Sequence, residues 1–579
     1  MLEIREGSAV WLVHELTPAG PIPTVADPDG YYPYESFVET ANRPVLKEFM
    51  CIELENDMVR VIICPDLGGR IHSLFDKRSG RETLFVPESI KPVRILPRLA
   101  FVPGGIEVSF PISHTPSQIE KVHCRAEKTG GRAYVWVGER ELHFGLQWTV
   151  EFSLGEGDFF LTQRCFFRNP TGQTRKWMSW SNAAVPARGD TAFHFPNGPV
   201  LVHGAQVETI DWATAGPKCV GDLDRMAGFF WLSPSLPAFG VFTPSLGFGL
   251  YHVADPGVVP GMKLWSYGTG KHEEWKHIGS LSGEGYVEIQ GGPIRDQSVL
   301  LTLVPGQIHV HSEFWLPSSE PMDLRTLDVP RVQLLSPDKV PWFDWPPRDS
   351  VDFWESVIAA WRSRAVHRLP MPPGISSNQW APGGMEELGD VLSWAAASSG
   401  PRERDMWTFQ LGSWLAARGQ IEAALNTLGR SGDPRAAALA ARLYLRCLKD
   451  PARAVASFER IAGTALACHP QVAVERDLAL AALGSETLPE RQKWLARLEK
   501  SEDDWVIERR IQLMLDLGKT KEALDQLRRR CFQRVHQRYV RTELWNRLCE
   551  KLYGKADPPP ESLGEDDLAA FGAYREFNS

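Results

Sequence analysis

The sequence VPGGIEVSFPISH at residues 102–114 places two adjacent glycines directly before a short apolar strand that carries one carboxylate, Glu107. An ionised carboxylate within an apolar strand is costly unless a partner or a ligand binds it. A proline and His114 follow the strand. This segment therefore predicts a β-rich domain in which Glu107 is either paired with another side chain or used by a binding site.

Alternating apolar and polar residues extend from this segment in both directions, over residues 46–317. Turn sequences such as NPTG, ADPG and LSGEG separate the alternating stretches, which is the pattern of antiparallel strands. Strands over such a length favour a large antiparallel β-sandwich over a small barrel. Residues 1–45 alternate in shorter pieces between proline- and glycine-rich breaks, and we expect them to form an N-terminal β extension.

A change of pattern follows the sandwich. Residues 318–350 are proline-rich and aperiodic and predict a linker, whereas residues 351–579 are dominated by helical periodicity. Pairs of helices joined by short turns are predicted at 406–430, 434–463 and 504–530. Their endings, G-x-x-x-x-A-L or P-x-x-A-V, resemble the tetratricopeptide repeat, and imply an α-helical solenoid of stacked helix pairs. The predicted fold class is β plus α, in several domains.

Composition excludes several classes of function. The 579 residues carry a formal net charge of −9, which argues against nucleic acid or an anionic membrane as the main partner. The nine cysteines form no C-x-x-C, so we expect free thiols, a cytoplasmic location, and neither a metal nor another cofactor. The N-terminus lacks the pattern of a secretory signal, and no long apolar run predicts a membrane span.

Three short motifs carry a resemblance to the galactose-mutarotase-like superfamily, and within it to the hexose-6-phosphate mutarotase branch. They are LGGRI at 67–71, GGIE at 104–107, and KLW at 263–265 followed by GYVEI at 285–289. The resemblance spans roughly residues 50–316 and implies a mutarotase-like sandwich with a carbohydrate site.

Four longer motifs resemble a bacterial domain-of-unknown-function family (5107), whose members combine such a sandwich with tetratricopeptide-like repeats. They are GGIEVSFP at 104–111, WSNAAVP at 180–186, HVADPGVVPGMKLW at 252–265 and YVEIQGG at 286–292. This family resemblance implies the domain order but no particular reaction.

The mutarotase resemblance implies one catalytic glutamate, and Glu288 matches it. Mutarotases also use histidines; His114 or His123 lies in the region of the first, but no histidine occupies the region of the second, near residues 180–182. Glu107 is then a second carboxylate that mutarotation does not require. Two carboxylates across a sugar are what glycoside hydrolysis needs, so we expect Glu107 and Glu288 to be the catalytic pair.

Other polar and aromatic residues in these motifs are expected to contact the substrate, since aromatic rings stack on the apolar faces of sugars and polar groups bind their hydroxyls. Each also has a structural alternative, as an ion-pair partner, a core side chain or a turn cap. The candidate substrate-binding residues are Arg70, His114, Trp180, Asn182, His252, Asp255, Lys263, Trp265 and Trp275.

Three functions follow from these residues. The first is a carbohydrate-active enzyme that works at the anomeric centre, as a glycoside hydrolase with Glu107 and Glu288. The second is an aldose mutarotase or epimerase, which needs a histidine near the ring oxygen. The third is a non-catalytic carbohydrate-binding module whose repeats bind a partner. The expected partners are a saccharide or glycoside, with no nucleic acid and no membrane, and a second copy or another protein at the repeats.

Overall fold

The computed structural model describes residues 2–27, 30–41, 43–93, 98, 100–203, 208–224, 227–266, 280–530, 532, 540–560 and 563. The chain divides into two compact units. Of the described residues, one unit contains those within 2–15 and 41–347, and the other contains those within 16–40 and 348–563. No helix among the described residues is long and apolar enough to cross a lipid bilayer.

The strands of the described chain, in order, are β1 Glu3–Val13, β2 Leu16–Pro18, β3 Phe37–Thr40, β4 Val45–Glu55, β5 Val59–Cys64, β6 Arg70–Asp76, β7 Arg81–Glu82, β8 Ile106–Val108, β9 His123–Thr129, β10 Arg132–Arg140, β11 Gln147–Gly155, β12 Leu161–Arg168, β13 Arg175–Trp177, β14 Ser181–Ala187, β15 Ala192–His194, β16 Pro199–His203, β17 Glu208–Asp211, β18 Ala227–Trp231, β19 Ala238–Thr243, β20 Phe248–Ala254, β21 Gly261–Ser266, β22 Gly285–Gly292, β23 Leu301–Leu303 and β24 Ile308–Ser318.

Two antiparallel sheets form the first unit. The larger sheet runs β1-β4-β5-β6-β8-β14-β22-β21-β18-β16-β17, with β7 beside β6, and the smaller runs β15-β19-β20-β24-β12-β11-β10-β9. Their facing sides enclose one apolar core to which both contribute, for example Ile106 and Ile289 from the larger sheet and Val150 and Leu250 from the smaller. Burying each such side chain stabilises the fold by about 1.5–3 kcal/mol. The predicted β-sandwich is confirmed.

The proline-rich stretch predicted as a linker packs onto the outer face of the smaller sheet. Val340 lies against Tyr134 and Trp136 of β10, and the backbone oxygen of Phe343 accepts a hydrogen bond of 2.9 Å from the Gln147 side chain. The central strands of the smaller sheet are thus covered on both faces, which explains why β10, β11 and β12 are almost continuously buried.

The helices of the described chain, in order, are α1 Trp212–Ala215, α2 Asp349–Arg362, α3 Leu388–Ser398, α4 Pro401–Ala417, α5 Ile421–Leu428, α6 Pro434–Arg446, α7 Pro451–Glu459, α8 Pro470–Leu483, α9 Leu488–Ala496, α10 Asp504–Asp516, α11 Thr520–Arg529 and α12 Val540–Tyr553.

From α2 onward these helices form the second unit, in which each helix packs on the next and alternate helices from α4 to α12 also touch. The predicted pairs are α4 with α5, α6 with α7, and α10 with α11. The second helix of each pair presents a fully buried alanine, Ala424, Ala454 or Ala523, because only a small side chain permits the close approach of its partner. The predicted helix-pair repeats are confirmed.

Residues 16–40 belong to the helical unit, although their short alternating pieces predict a β extension. Ile22 and Ala26 join the apolar cluster of α4–α8, the Tyr32 hydroxyl donates a 2.6 Å hydrogen bond to the Ala381 carbonyl, and Asp27 pairs with Arg442 at 3.0 Å. These partners lie hundreds of residues away in sequence, so local pattern does not reveal them.

Candidate functional site

Six polar and aromatic side chains share the face of the larger sheet that points away from the sandwich core. Asn182 on β14 lies opposite Glu107 on β8 and opposite Gln290 on β22. Lys263 on β21 lies opposite Gln290, and Trp265 lies opposite Glu288. Directly opposed residues of antiparallel strands project to the same face.

The residues between them, among them Ile106, Ala183, Ile289 and Leu264, all join the core. Because successive side chains of a strand point to opposite faces, residues from distant parts of the chain form one polar face. We call this face the β8–β21 site. It brings together both predicted catalytic glutamates and the predicted Asn182, Lys263 and Trp265.

The carboxylate of Glu107 accepts hydrogen bonds from several neighbouring groups. It is 3% exposed, and it accepts hydrogen bonds from the backbone N–H of Thr115 at 2.7 Å and from Nδ1 of His114 at 3.0 Å. The Asn182 amide lies 3.4 Å from the same carboxylate. Burial by itself would raise the pKa of Glu107, but His114, the Thr115 N–H and the charge of Arg70 outweigh burial and hold this pKa below its usual value.

Glu288 stands in a different environment. It is 6% exposed, and its one hydrogen bond within the described residues comes from the Gln290 amide at 2.7 Å. Burial raises the pKa of Glu288, and the negative charge of Glu107 adds to this rise, while His114 and Lys263 offset it only in part. The site thus holds two neighbouring carboxyl groups whose pKa values are displaced in opposite directions, the usual sign of an acid and a base with separate roles.

Arg70 fixes the glycine pair that leads into Glu107. Its guanidinium donates a 2.8 Å hydrogen bond to the Val102 carbonyl and another to the Gly104 carbonyl. Gly105 has a φ of +66°, and a methyl group there would collide with the carbonyl oxygen of Ile71. The Gly-Gly sequence is therefore required by a left-handed backbone and a close approach of β8 to β6, and the charge of Arg70 acts on the carboxylates from behind this turn.

Lys263 and Trp265 line the side of the site next to Glu288. Lys263 is 7% exposed, and its Nζ lies 4.9 Å above the ring of Phe230. Burial lowers the pKa of Lys263 to about 8, against the opposing effect of the Glu288 charge. The Trp265 ring is half-buried and tilted against Tyr286, with 6.5 Å between the ring centres. An apolar ring beside an acid is the arrangement that suits a sugar.

Other predicted contact residues lie elsewhere. The Trp180 ring is fully buried beneath Phe230, so it has no face for a ligand and serves as packing. Asp255 is exposed in the turn after β20, where its carboxylate accepts the Gly257 N–H at 2.9 Å. Trp275 lies outside the described residues. His123, the alternative to His114, donates a hydrogen bond of 2.7 Å from Nε2 to the Trp345 carbonyl at the edge of the smaller sheet.

His252 lies in the sandwich core and not at the β8–β21 site. Its Nε2 lies 2.7 Å from the Glu313 carboxylate, which His311 also contacts at 3.1 Å. Ser181 donates to the same carboxylate at 2.7 Å. These partners hold the pKa of Glu313 far below its usual value, although burial opposes them.

Within the described chain, Cys165, His311 and Glu313 are the grouping with the residue types and spacing to hold a metal ion. The carboxylate of Glu313 already has hydrogen-bonding partners on both oxygens, and a methyl group at Gly291 would collide with His252. The group forms a packed network of hydrogen bonds and ion pairs behind β22.

Sequence reasoning missed Gln290, Tyr286 and Thr115. Gln290 and Tyr286 flank Glu288 at two-residue spacing on β22, so the period of the strand is the signal that could have found them. Thr115 acts through its backbone N–H, which no side-chain pattern reveals.

Comparison with known proteins places this architecture, a β-sandwich with a polar sheet face joined to helical repeats, in a family. The family model described as a domain of unknown function (DUF5107) matches residues 26–318, and the chain belongs to that family, as the motifs predict. A second family model, for a C-terminal domain, matches residues 354–548.

The chain is also similar to solved structures. A TPR-domain containing protein from Parabacteroides distasonis ATCC 8503 is 47% identical, with 99% of each chain covered and a TM-score of 0.94. A putative aldose 1-epimerase from Escherichia coli K12 is 11% identical over 46% of this chain and 98% of that chain, with a TM-score of 0.35. A galactose mutarotase-like protein from Clostridium acetobutylicum is 12% identical over 47% and 95%, with a TM-score of 0.36.

Proposed function

We propose that the protein acts at the anomeric centre of a sugar and cleaves a glycosidic bond, with Glu288 as the acid and Glu107 as the base or nucleophile. One observation carries the proposal: two buried carboxyl groups share one sheet face, and their surroundings displace their pKa values in opposite directions. Glycoside hydrolysis needs this combination, a protonated carboxyl for the leaving oxygen and an ionised carboxylate opposite it.

The steps follow from the two environments. The Glu288 carboxyl gives its proton to the glycosidic oxygen as the bond from that oxygen to the anomeric carbon breaks. Glu107 either removes a proton from an attacking water or bonds to the anomeric carbon and is released by water afterwards. The Thr115 N–H and His114 hold the Glu107 carboxylate in place, and Trp265 offers a half-buried ring on which the sugar can stack.

A mutarotase remains the second candidate, and His114 is the observation that favours it. Mutarotation needs a donor at the ring oxygen and a base at the anomeric hydroxyl. The sequence lacks the family's second histidine, but His114 is half-buried and bound through Nδ1 to Glu107, which leaves its Nε2 available to a sugar. In that reaction His114 would protonate the ring oxygen and Glu288 would need to be ionised.

The experiment that separates the candidates combines two assays on the full chain. Alkyl glycosides of both anomers, whose leaving group needs an acid, report hydrolysis through the release of free sugar, and polarimetry of freshly dissolved free sugars reports mutarotation. Glu107→Gln and Glu288→Gln are compared with Glu156→Gln, an exposed turn glutamate that serves as the matched control.

We expect turnover of one glycoside by the native protein and by Glu156→Gln, and loss of turnover in both site variants. Full activity in either site variant on that glycoside would refute the assignment. Accelerated mutarotation without hydrolysis would instead establish the second candidate. Sugar binding that is unchanged in both site variants, with neither reaction, would identify a non-catalytic binding module.

A further inference from the structure

Lys263 stands out in the β8–β21 site because its side chain is largely buried while its ammonium group has no partner among the described residues. The side chain is 7% exposed, yet no hydrogen bond or ion pair joins its Nζ to any other described residue. Its Nζ lies over the face of the Phe230 ring, 4.9 Å from the ring centre. The residue opposite it on β22, Gln290, donates its amide hydrogen to Glu288, and its amide oxygen accepts no hydrogen bond from Lys263.

Such a position is energetically unfavourable for the empty protein. Burial withdraws most of the side chain from water and disfavours its charge, and a cation over an aromatic ring recovers only part of that loss. Glu288 does not compensate for this cost by contact, because no ion pair forms between the two side chains among the described residues and because the raised pKa of Glu288 favours its neutral form. A ligand that brings an acceptor to Nζ would compensate for this cost.

The charge of the whole site indicates which kind of ligand would pair with Lys263. Arg70 and Lys263 are cations, and the donors of Arg70 are taken by two backbone carbonyls and not by a carboxylate. Glu107 is the one carboxylate whose pKa is lowered, and it is bound by His114. With Glu288 protonated, as an acid requires, and with His114 counted as neutral, the site carries one excess positive charge, which a single negative charge on the ligand would neutralise.

We propose that Lys263 forms an anion subsite and that the sugar bound here carries a carboxylate, as a uronic acid does. The inference rests on the proposed function, because it assumes that a sugar occupies the β8–β21 site. A carboxylate is favoured over a phosphate ester because the subsite offers one point charge, whereas a doubly charged phosphate requires several converging donors or an arginine fork.

The test is equilibrium binding to the full chain by titration calorimetry, with matched pairs of methyl glycosides. Each pair has the same configuration and differs only at C6, for example methyl glucuronide and methyl glucoside, with galacto and manno pairs beside it. The 6-phosphates of the same hexoses form a third arm. Lys263→Met preserves the length of the aliphatic stem, and Lys176→Met, which removes an exposed lysine from β13, is the matched control.

We expect the native protein and Lys176→Met to bind the uronide of one pair at least tenfold more tightly than its neutral partner. In Lys263→Met this preference should fall to twofold or less while affinity for the neutral glycoside is kept. Lys263→Met should melt no lower than the native protein in the absence of sugar, because a buried unpaired charge has been removed. A lysine with only a structural role would give a lower melting temperature instead.

Several results would overturn the anion subsite. Equal binding of uronide and glycoside by the native protein, a preference that survives in Lys263→Met, or tighter binding of the 6-phosphate would each do so while leaving the sugar site intact. Binding of none of the sugars in any configuration would overturn the proposed function together with the subsite, and the two failures are therefore distinguishable.

Discussion

Replacement of the proposed acid, Glu288→Gln, tests whether Glu288 acts as the acid and Glu107 as the base or nucleophile. The fold should survive, because the glutamine carbonyl can accept the 2.7 Å hydrogen bond that Gln290 now donates to the carboxylate. What is lost is the proton for the leaving oxygen. Removal of a general acid lowers the rate by about 10²–10⁴-fold, which corresponds to about 3–5 kcal/mol of activation free energy.

The size of this loss should depend on the leaving group. A nitrophenolate departs without help from an acid, so Glu288→Gln should lose little activity on nitrophenyl glycosides with the best leaving groups and the most on alkyl glycosides. Glu107→Gln should lose activity on all of them, because a base or nucleophile is needed whichever group departs. The assay is kcat/KM over a series of aryl and alkyl glycosides of one sugar.

The pH dependence of kcat/KM provides a second test of Glu288→Gln. A general acid with a raised pKa is active below that pKa, so activity should fall as the pH rises through the pKa of Glu288, and this alkaline limb should be absent in Glu288→Gln. The pKa of Glu107 is lowered, so the acidic limb should lie at low pH. A leaving-group dependence in Glu107→Gln instead of Glu288→Gln would show that the roles are reversed, and an unchanged alkaline limb would refute the assignment.

Two further variants test the surroundings of the site. His114→Asn removes the histidine that lowers the pKa of Glu107, so the acidic limb of a kcat/KM profile should move to higher pH; an unmoved limb would show that His114 does not control this carboxylate. Gly105→Ala meets both a positive φ and the carbonyl of Ile71, so urea unfolding should show a loss of more than about 3 kcal/mol. Gly130→Ala, with a φ of +59° and open space around it, should lose only about 1–2 kcal/mol, and equal losses in the two variants would contradict the steric argument.

The predicted site residues differ in how well sequence could place them. Glu107 and Asn182 could be predicted to share a site, because each lies in a family motif on a strand and alternate side chains of a strand project to one face. His252 lies in a similar motif but on β20, a strand of the smaller sheet, and its side chain points into the core. Trp180 has its ring covered by Phe230, a contact between strands that are about fifty residues apart in sequence.

The sequence alone determined that this protein combines a β-sandwich with helical repeats. Apolar residues that recur every 2.0 or 3.6 positions are a local property of the chain, and this spacing fixes which side chains can share an apolar face. It also determined that Glu107 needs a partner, because a carboxylate in an apolar strand cannot be left unbound. Only the tertiary structure decided which partners it has. Sheet order brings β8, β14, β22 and β21 together, and the different partners that each buried carboxyl group meets there displace the pKa values of Glu107 and Glu288 in opposite directions. Both depend on contacts across the fold, which the order of residues along the chain does not record.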